Sequence, residues 1–109
     1  MATARRGVVE GHESSWADIF KAMGDETRLS ILLKLVQGEH CVTALAKALK
    51  LDAPTVSFHL TKLRYSSLVV NERRGQQVFY SINPALVKSN RDGLVLDVDG
   101  CQMKFSKSV

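Results

Sequence analysis

Cysteine is scarce. The 109 residues contain two, Cys41 and Cys101, too few for a small secreted fold built on disulfides. Neither a Cys-x-x-Cys nor a His-x-x-x-His pairing occurs, so no metal site and no cofactor are expected. Long apolar runs are missing too. Stretches such as Ile31-Leu32-Leu33 and Leu94-Val95-Leu96 fall far short of the ~20 residues that a membrane span needs. No apolar core follows Arg5 and Arg6, so a signal peptide is not expected and the chain is placed in the cytoplasm. No nucleophile–base pair or phosphate-binding loop stands out, and an enzyme is not expected.

What is present is ordinary globular material. Hydrophobic residues make up 45% and charged residues 24%, which argues against wholesale disorder, and the length suits one domain. Lysine plus arginine number 15 against 11 acidic residues, net +4. So mild a surplus matters only where the cations gather on a surface that a polyanion can reach.

Residues 1–13 read as a loose arm. Ser14 or Ser15 can cap a first helix carrying Trp16, Ile19, Phe20 and Met23 at helical spacing, which Gly24 stops. Asp25 caps a second, from Glu26 to about Gln37, so rich in leucine and isoleucine that it is expected to be central and buried. Thr43 can cap a third, bearing Ala44, Leu45, Ala48 and Leu49. After the tight link Lys50-Leu51-Asp52, Asp52 caps a fourth from about Ala53 to Tyr65, with Pro54 tolerated in the first turn. Val56, His59, Leu60 and Leu63 share its inner face, and His59 is expected to be a hydrogen-bonded core histidine. If Lys50 is left-handed, it costs roughly 1–2 kcal/mol there. Two helices joined by so short a turn form a helix-turn-helix.

Beyond Leu68 the period changes from 3.6 to 2. Val69–Arg73 and Gln77–Ile82 read as strands around the turn Arg74-Gly75-Gln76, a hairpin directly after the fourth helix. Leu94–Val98 and Cys101–Phe105 read as a second hairpin turning at Asp99-Gly100. That register pairs Val98 with Cys101, Leu96 with Met103 and Leu94 with Phe105 on one apolar face, and makes Cys101 a buried small hydrophobe. The expected class is α+β: a winged helix-turn-helix over residues 14–83, mainly helical with a β-hairpin wing, and an 84–109 extension with a β-hairpin.

Residues 18–82 resemble the ArsR/SmtB family of bacterial winged-helix repressors. The resemblance rests on Phe20-Lys21-Ala22-Met23-Gly24-Asp25-Glu26-Thr27-Arg28-Leu29-Ser30-Ile31-Leu32, on Ala53-Pro54-Thr55-Val56-Ser57-Phe58-His59-Leu60-Thr61-Lys62-Leu63, and on the Arg73-Arg74-Gly75 wing, in that order and spacing. It implies a homodimer that represses an operon and leaves DNA when a metal ion or an oxidant acts on it.

A helix fits the major groove, so the outward face of the fourth helix is expected to meet DNA. Thr55, Ser57, Phe58 and Thr61 are candidates for base edges, and Lys62 and Arg64 for phosphates. Arg73, Arg74 and Gln76 of the wing are candidates for the backbone or minor groove. Trp16, Ile19 and Phe20 form the expected dimer surface. Several family members hold soft metals through a Cys-x-Cys pair, but this chain reads Cys41-Val42-Thr43, and its C-terminal region offers no histidine. A thiolate favoured at a helix start makes Cys41 a candidate redox sensor. The sequence reading is therefore a dimeric, sequence-specific repressor of operator DNA that releases it on thiol oxidation. A metal-responsive repressor on the same scaffold and a winged-helix protein-interaction module are its alternatives.

Overall fold

The computed structural model describes residues 16–90, 93–98 and 100–106. The 1–13 arm, the Ser14 and Ser15 caps and Asp99 of the second turn lie outside the described residues. Helix α1 spans Trp16–Met23 and turns Ile19 and Ala22 inward. Helix α2, Glu26–Val36, starts at Asp25, whose carboxylate accepts the Arg28 backbone N–H at 3.0 Å. That bond is the main reason the Asp25 carboxyl sits below its ordinary range. Ile31, Leu32 and Leu35 are buried, but Leu29 and Leu33 are 37% and 36% exposed. The helix is central, packing against α1, the third and fourth helices and the wing sheet, but helical spacing turns Leu29 and Leu33 away from the face that holds Ile31 and Leu35.

A two-residue strand, β1 (His40–Cys41), runs straight into α3 (Val42–Leu49). Cys41, in extended conformation, is therefore the N-cap in place of Thr43, and it makes no side-chain capping bond. Leu45 and Ala46 are the buried positions of α3, while Ala48 is exposed. Lys50 ends the helix left-handed at φ 59°, where the Leu51 N–H reaches the Ala46 carbonyl at 2.9 Å. Glycine has no Cβ to strain in that conformation. Lys50→Gly is expected to stabilise the fold by roughly 1 kcal/mol, read as a higher denaturation midpoint with an unchanged slope.

Helix α4 spans Ala53–Tyr65, with Asp52 as N-cap and proline in its first turn. Ser67 is left-handed at φ 67°, and the Leu68 N–H bonds back to the Leu63 carbonyl, so the chain turns at once into β2 (Val69–Arg74). Strand β3 (Gln77–Ile82) pairs antiparallel with β2 and also with β1, giving the sheet order β1-β3-β2. Arg74 lies within β2, opposite Gln77, so the wing turn is only Gly75-Gln76.

The C-terminal hairpin becomes a three-stranded sheet. Strand β4 (Val87–Asn90), not foreseen in the sequence, flanks β5 (Gly93–Val98), which pairs on its other side with β6 (Cys101–Ser106). The expected register holds: Val98 faces Cys101, Leu96 faces Met103 and Leu94 faces Phe105. Leu94, Leu96, Val98 and Val87 join one buried cluster with Ile19, Ile31, Leu32, Leu35, Leu45, Leu60 and Leu63. Cys101, however, is exposed. It stands on the edge strand β6, while burial at this end belongs to its partner Val98 on the central strand β5.

Candidate nucleic-acid interface

Burial of Val56, Leu60 and Leu63 fixes which side of α4 faces the core. At 100° per residue, Phe58, Thr61 and Tyr65 then point outward, with Ser57 and Lys62 flanking them. All five are exposed, as is Arg64. Phe58 is 56% and Tyr65 76% exposed, large aromatic surfaces left in water on a helix that has ample core to bury. Tyr65 was missed in the sequence reading. Its spacing, four after Thr61 and seven after Phe58, was the available signal.

The polar groups on this face are already oriented. The Thr61 hydroxyl donates to the Ser57 carbonyl at 3.0 Å, which leaves its oxygen lone pairs facing outward as acceptors. The Lys62 ammonium lies 5.2 Å from the Phe58 ring centroid, held over its face. Thr55 has a different task. Its hydroxyl and its N–H both donate to the Asp52 carboxylate, at 2.8 and 3.0 Å, and these bonds hold the Asp52 carboxyl below its usual range. Thr55 is half-buried in the cap.

From its inner side α4 is held by packing and by polar contact at His59. The Arg28 guanidinium stands 3.2 Å from Nδ1 of His59, while its Nε donates to the Ala22 carbonyl at 2.7 Å. His59 is partly buried and hydrogen-bonded, so its expected core role holds in that form.

The two wing arginines differ. Arg73 is exposed, and among the described residues its side chain makes a long bond, 3.4 Å, to the Gly75 carbonyl. Arg74 is gripped. Its two terminal nitrogens reach both Glu39 oxygens at 2.6 and 2.9 Å, a third bond goes to Glu72 at 2.9 Å, and its guanidinium lies over the Phe79 ring at 4.8 Å. Those carboxylates raise the Arg74 pKa and the pair lowers that of Glu39, so the Arg74 charge is compensated within the protein. Exposed pairs of this kind add little stability, but they fix direction. Gln76 is exposed at the wing turn.

Cys41 sits at the seam between the wing and the helix-turn-helix, pairing opposite Phe79 of β3 while capping α3. Its sulfur is 3.3 Å from the Thr43 hydroxyl. That bond, then the Ala44 N–H, lowers the thiol pKa and favours the thiolate. Next to it, Nδ1 of His40 donates to the Gly38 carbonyl at 2.8 Å. Both cysteines are free, and the described residues contain no group of three or more His, Cys, Asp or Glu side chains arranged to hold a metal ion.

Of the three expected dimer residues, Ile19 is wholly buried within the monomer and is corrected to a core residue. Phe20 is 47% exposed and stacks on Trp16 with centroids 5.5 Å apart. No helix among the described residues is long and apolar enough to cross a membrane.

A helix-turn-helix whose second helix shows an aromatic, hydroxyl and cationic face, followed by a basic hairpin, defines a winged helix-turn-helix regulator. Residues 25–70 match the family described as bacterial regulatory protein, arsR family. The chain is 41% identical over 70 residues to an arsenic resistance transcriptional regulator of Pseudomonas putida, covering 63% of this chain and 61% of that protein. It is 42% identical to an uncharacterized HTH-type transcriptional regulator of Methanocaldococcus jannaschii, covering 66% of this chain and 82% of the relative. Among solved structures, the homodimeric winged helix-turn-helix DNA-binding domain from Mycobacterium bovis superposes with TM-score 0.61 at 37% identity, over 62% of this chain and 63% of that one. This chain belongs to the ArsR family of bacterial transcriptional regulators. It spans about six tenths of the length of the Pseudomonas relative.

Proposed function

We propose that the chain is a dimeric transcriptional repressor that reads operator DNA with α4 and the β2–β3 wing, and that oxidation of Cys41 releases it. The observation that carries this reading is the outward face of α4. Ser57, Phe58, Thr61 and Tyr65 stand exposed beside the cations of Lys62 and Arg64. Hydroxyls and aromatic edges suit base edges and thymine methyls, and the cations suit phosphates. Arg73 and Gln76 extend the contact from the wing. Arg74, already neutralised by Glu39 and Glu72, enters as the brace that aims the wing, and Thr55 enters as part of the α4 cap. Half-sites one helical turn apart need two recognition helices. The Trp16–Phe20 pair offers an apolar surface for a second copy, and the Mycobacterium bovis neighbour is described as homodimeric.

The oxidant reading rests on the position of Cys41 and its lowered thiol pKa. A thiolate attacks hydrogen peroxide, forming a sulfenic acid and releasing hydroxide. The added oxygen would sit where α3 begins and where β1 meets β3. Fluorescence anisotropy with the DNA upstream of the chain's own gene tests both parts. Reduced protein is expected to bind this fragment at least about a thousandfold more tightly than unrelated DNA at physiological salt. Peroxide is expected to abolish that preference, and Cys41→Ser to preserve it under peroxide. Equal affinity for both DNAs removes the repressor reading, whereas peroxide-insensitive binding removes only the oxidant switch.

A further inference from the structure

We infer that Arg28 and His59 are positioning residues, a polar clamp that sets the rotation of the recognition helix about its own axis. The inference rests on reading α4 as the DNA-reading helix and says how its aim is held. Arg28 lies in the first turn of α2, yet its guanidinium reaches two other helices. Nε donates to the Ala22 carbonyl at 2.7 Å and Nη2 to the Lys21 carbonyl at 3.4 Å, at the C-terminal end of α1. Nη1 meets Nδ1 of His59, midway along α4, at 3.2 Å. The Asp25 carboxylate, which caps α2 through the Arg28 N–H, stands 4.0 Å from the same ring nitrogen. One side chain therefore joins the end of α1, the start of α2 and the middle of α4.

The chemistry of the pair dictates a tautomer. Arginine offers donors and no acceptor, so Nδ1 of His59 must present its lone pair and the ring proton must reside on Nε2. Hydrophobic packing through Val56, Leu60 and Leu63 fixes which face of α4 is buried but supplies no directional bond. A hydrogen bond to a planar, three-way anchored guanidinium is directional. It acts at the residue next to Phe58 and two residues from Ser57 and Thr61, so a small roll of the helix displaces every base-reading group together.

Substitution at each end tests the clamp. His59→Asn keeps an acceptor near the Nδ1 position, His59→Leu removes it, and Arg28→Lys replaces the fork by a single point donor. Thermal melts monitor the fold, and anisotropy at several salt concentrations gives promoter affinity, affinity for unrelated DNA and salt slope. We expect His59→Leu and Arg28→Lys to lose about tenfold in promoter affinity, with unrelated-DNA affinity and salt slope unchanged, and His59→Asn to stay near wild type. Nitrogen NMR of the imidazole, which needs no DNA, is expected to show the Nε2–H tautomer in wild type. A wild-type Nδ1–H tautomer, promoter affinity unmoved in His59→Leu and Arg28→Lys, or His59→Asn as weak as His59→Leu would each overturn the clamp. Absence of promoter preference in the wild-type protein would instead overturn the DNA reading, and the tautomer would still report on the clamp.

Discussion

Replacing Lys62, Arg64 and Arg73 together by alanine is expected to lower DNA affinity on the order of a thousandfold or more at 0.1 M salt. Each cation that neutralises a phosphate releases condensed counterions, and the slope of log affinity against log salt counts them. Three contacts in each protomer of a dimer make the slope shallower by about five. The loss should fall equally on promoter and unrelated DNA, because phosphate contacts position the protein without reading sequence. Arg74→Ala is the internal control. Its charge is compensated by Glu39 and Glu72, so the slope should not change, although a wing without its brace should bind somewhat more weakly. Titrations at four or more salt concentrations measure both quantities. A triple variant with the wild-type slope would move the phosphate contacts elsewhere on the protein.

Leu60→Ala should be the most damaging single change to the fold. Leu60 is 0% exposed, on the inner face of α4 between Val56 and Leu63, inside the cluster that joins the helices to the C-terminal sheet. Truncating such a leucine removes buried methyl groups and leaves a cavity, together costing about 2–5 kcal/mol. Against the ~5–15 kcal/mol that holds a domain together, that is a large share. The melting temperature should fall by about 10–30 °C. Leu33→Ala supplies the contrast. That leucine is 36% exposed, and the same truncation should cost well under half as much. Equal losses from the two variants would mean that Leu33 is covered in solution, and a concentration-dependent melt would then identify a second copy as the cover.

Those two leucines show how far the sequence could be read. Both sit in helices whose starts were legible, because Asp25 and Asp52 each precede a helix and carry an oxygen that the first turn needs. Local chemistry of that kind is complete within four residues. The wing was legible for the same reason, since alternating strands around a glycine turn specify their own register. The tight joint after α3 was legible as well, while the left-handed conformation of Lys50, left open in sequence, came from the structure. Most of the outward face of α4 followed from helical spacing alone, and Tyr65 could have been found the same way.

Other features depend on residues distant in the chain. His40 and Cys41 form a strand only because Tyr80 and Phe79 lie alongside, which moves the cap of α3 from Thr43 to Cys41. Strand β4 has only four residues and exists through its pairing with β5. Arg73 and Arg74 look alike in sequence, and Glu39, 35 residues away, joins Glu72 in neutralising the second and not the first. Ile19 and Phe20 are neighbours on one helix, and packing decides that the first belongs to the core and the second to the surface.

The sequence by itself determined the order of helices and hairpins, the face that α4 turns outward and the family to which the chain belongs. These follow from periodicity, caps and turn chemistry, interactions that span a few residues. Tertiary structure alone decided which cations stay uncompensated, that Cys41 in place of Thr43 caps α3, and that Arg28 reaches His59. Charge pairing, burial and a shared hydrogen bond are properties of distance in space, and contact between residues 31 or 35 positions apart is set only when the whole chain has packed.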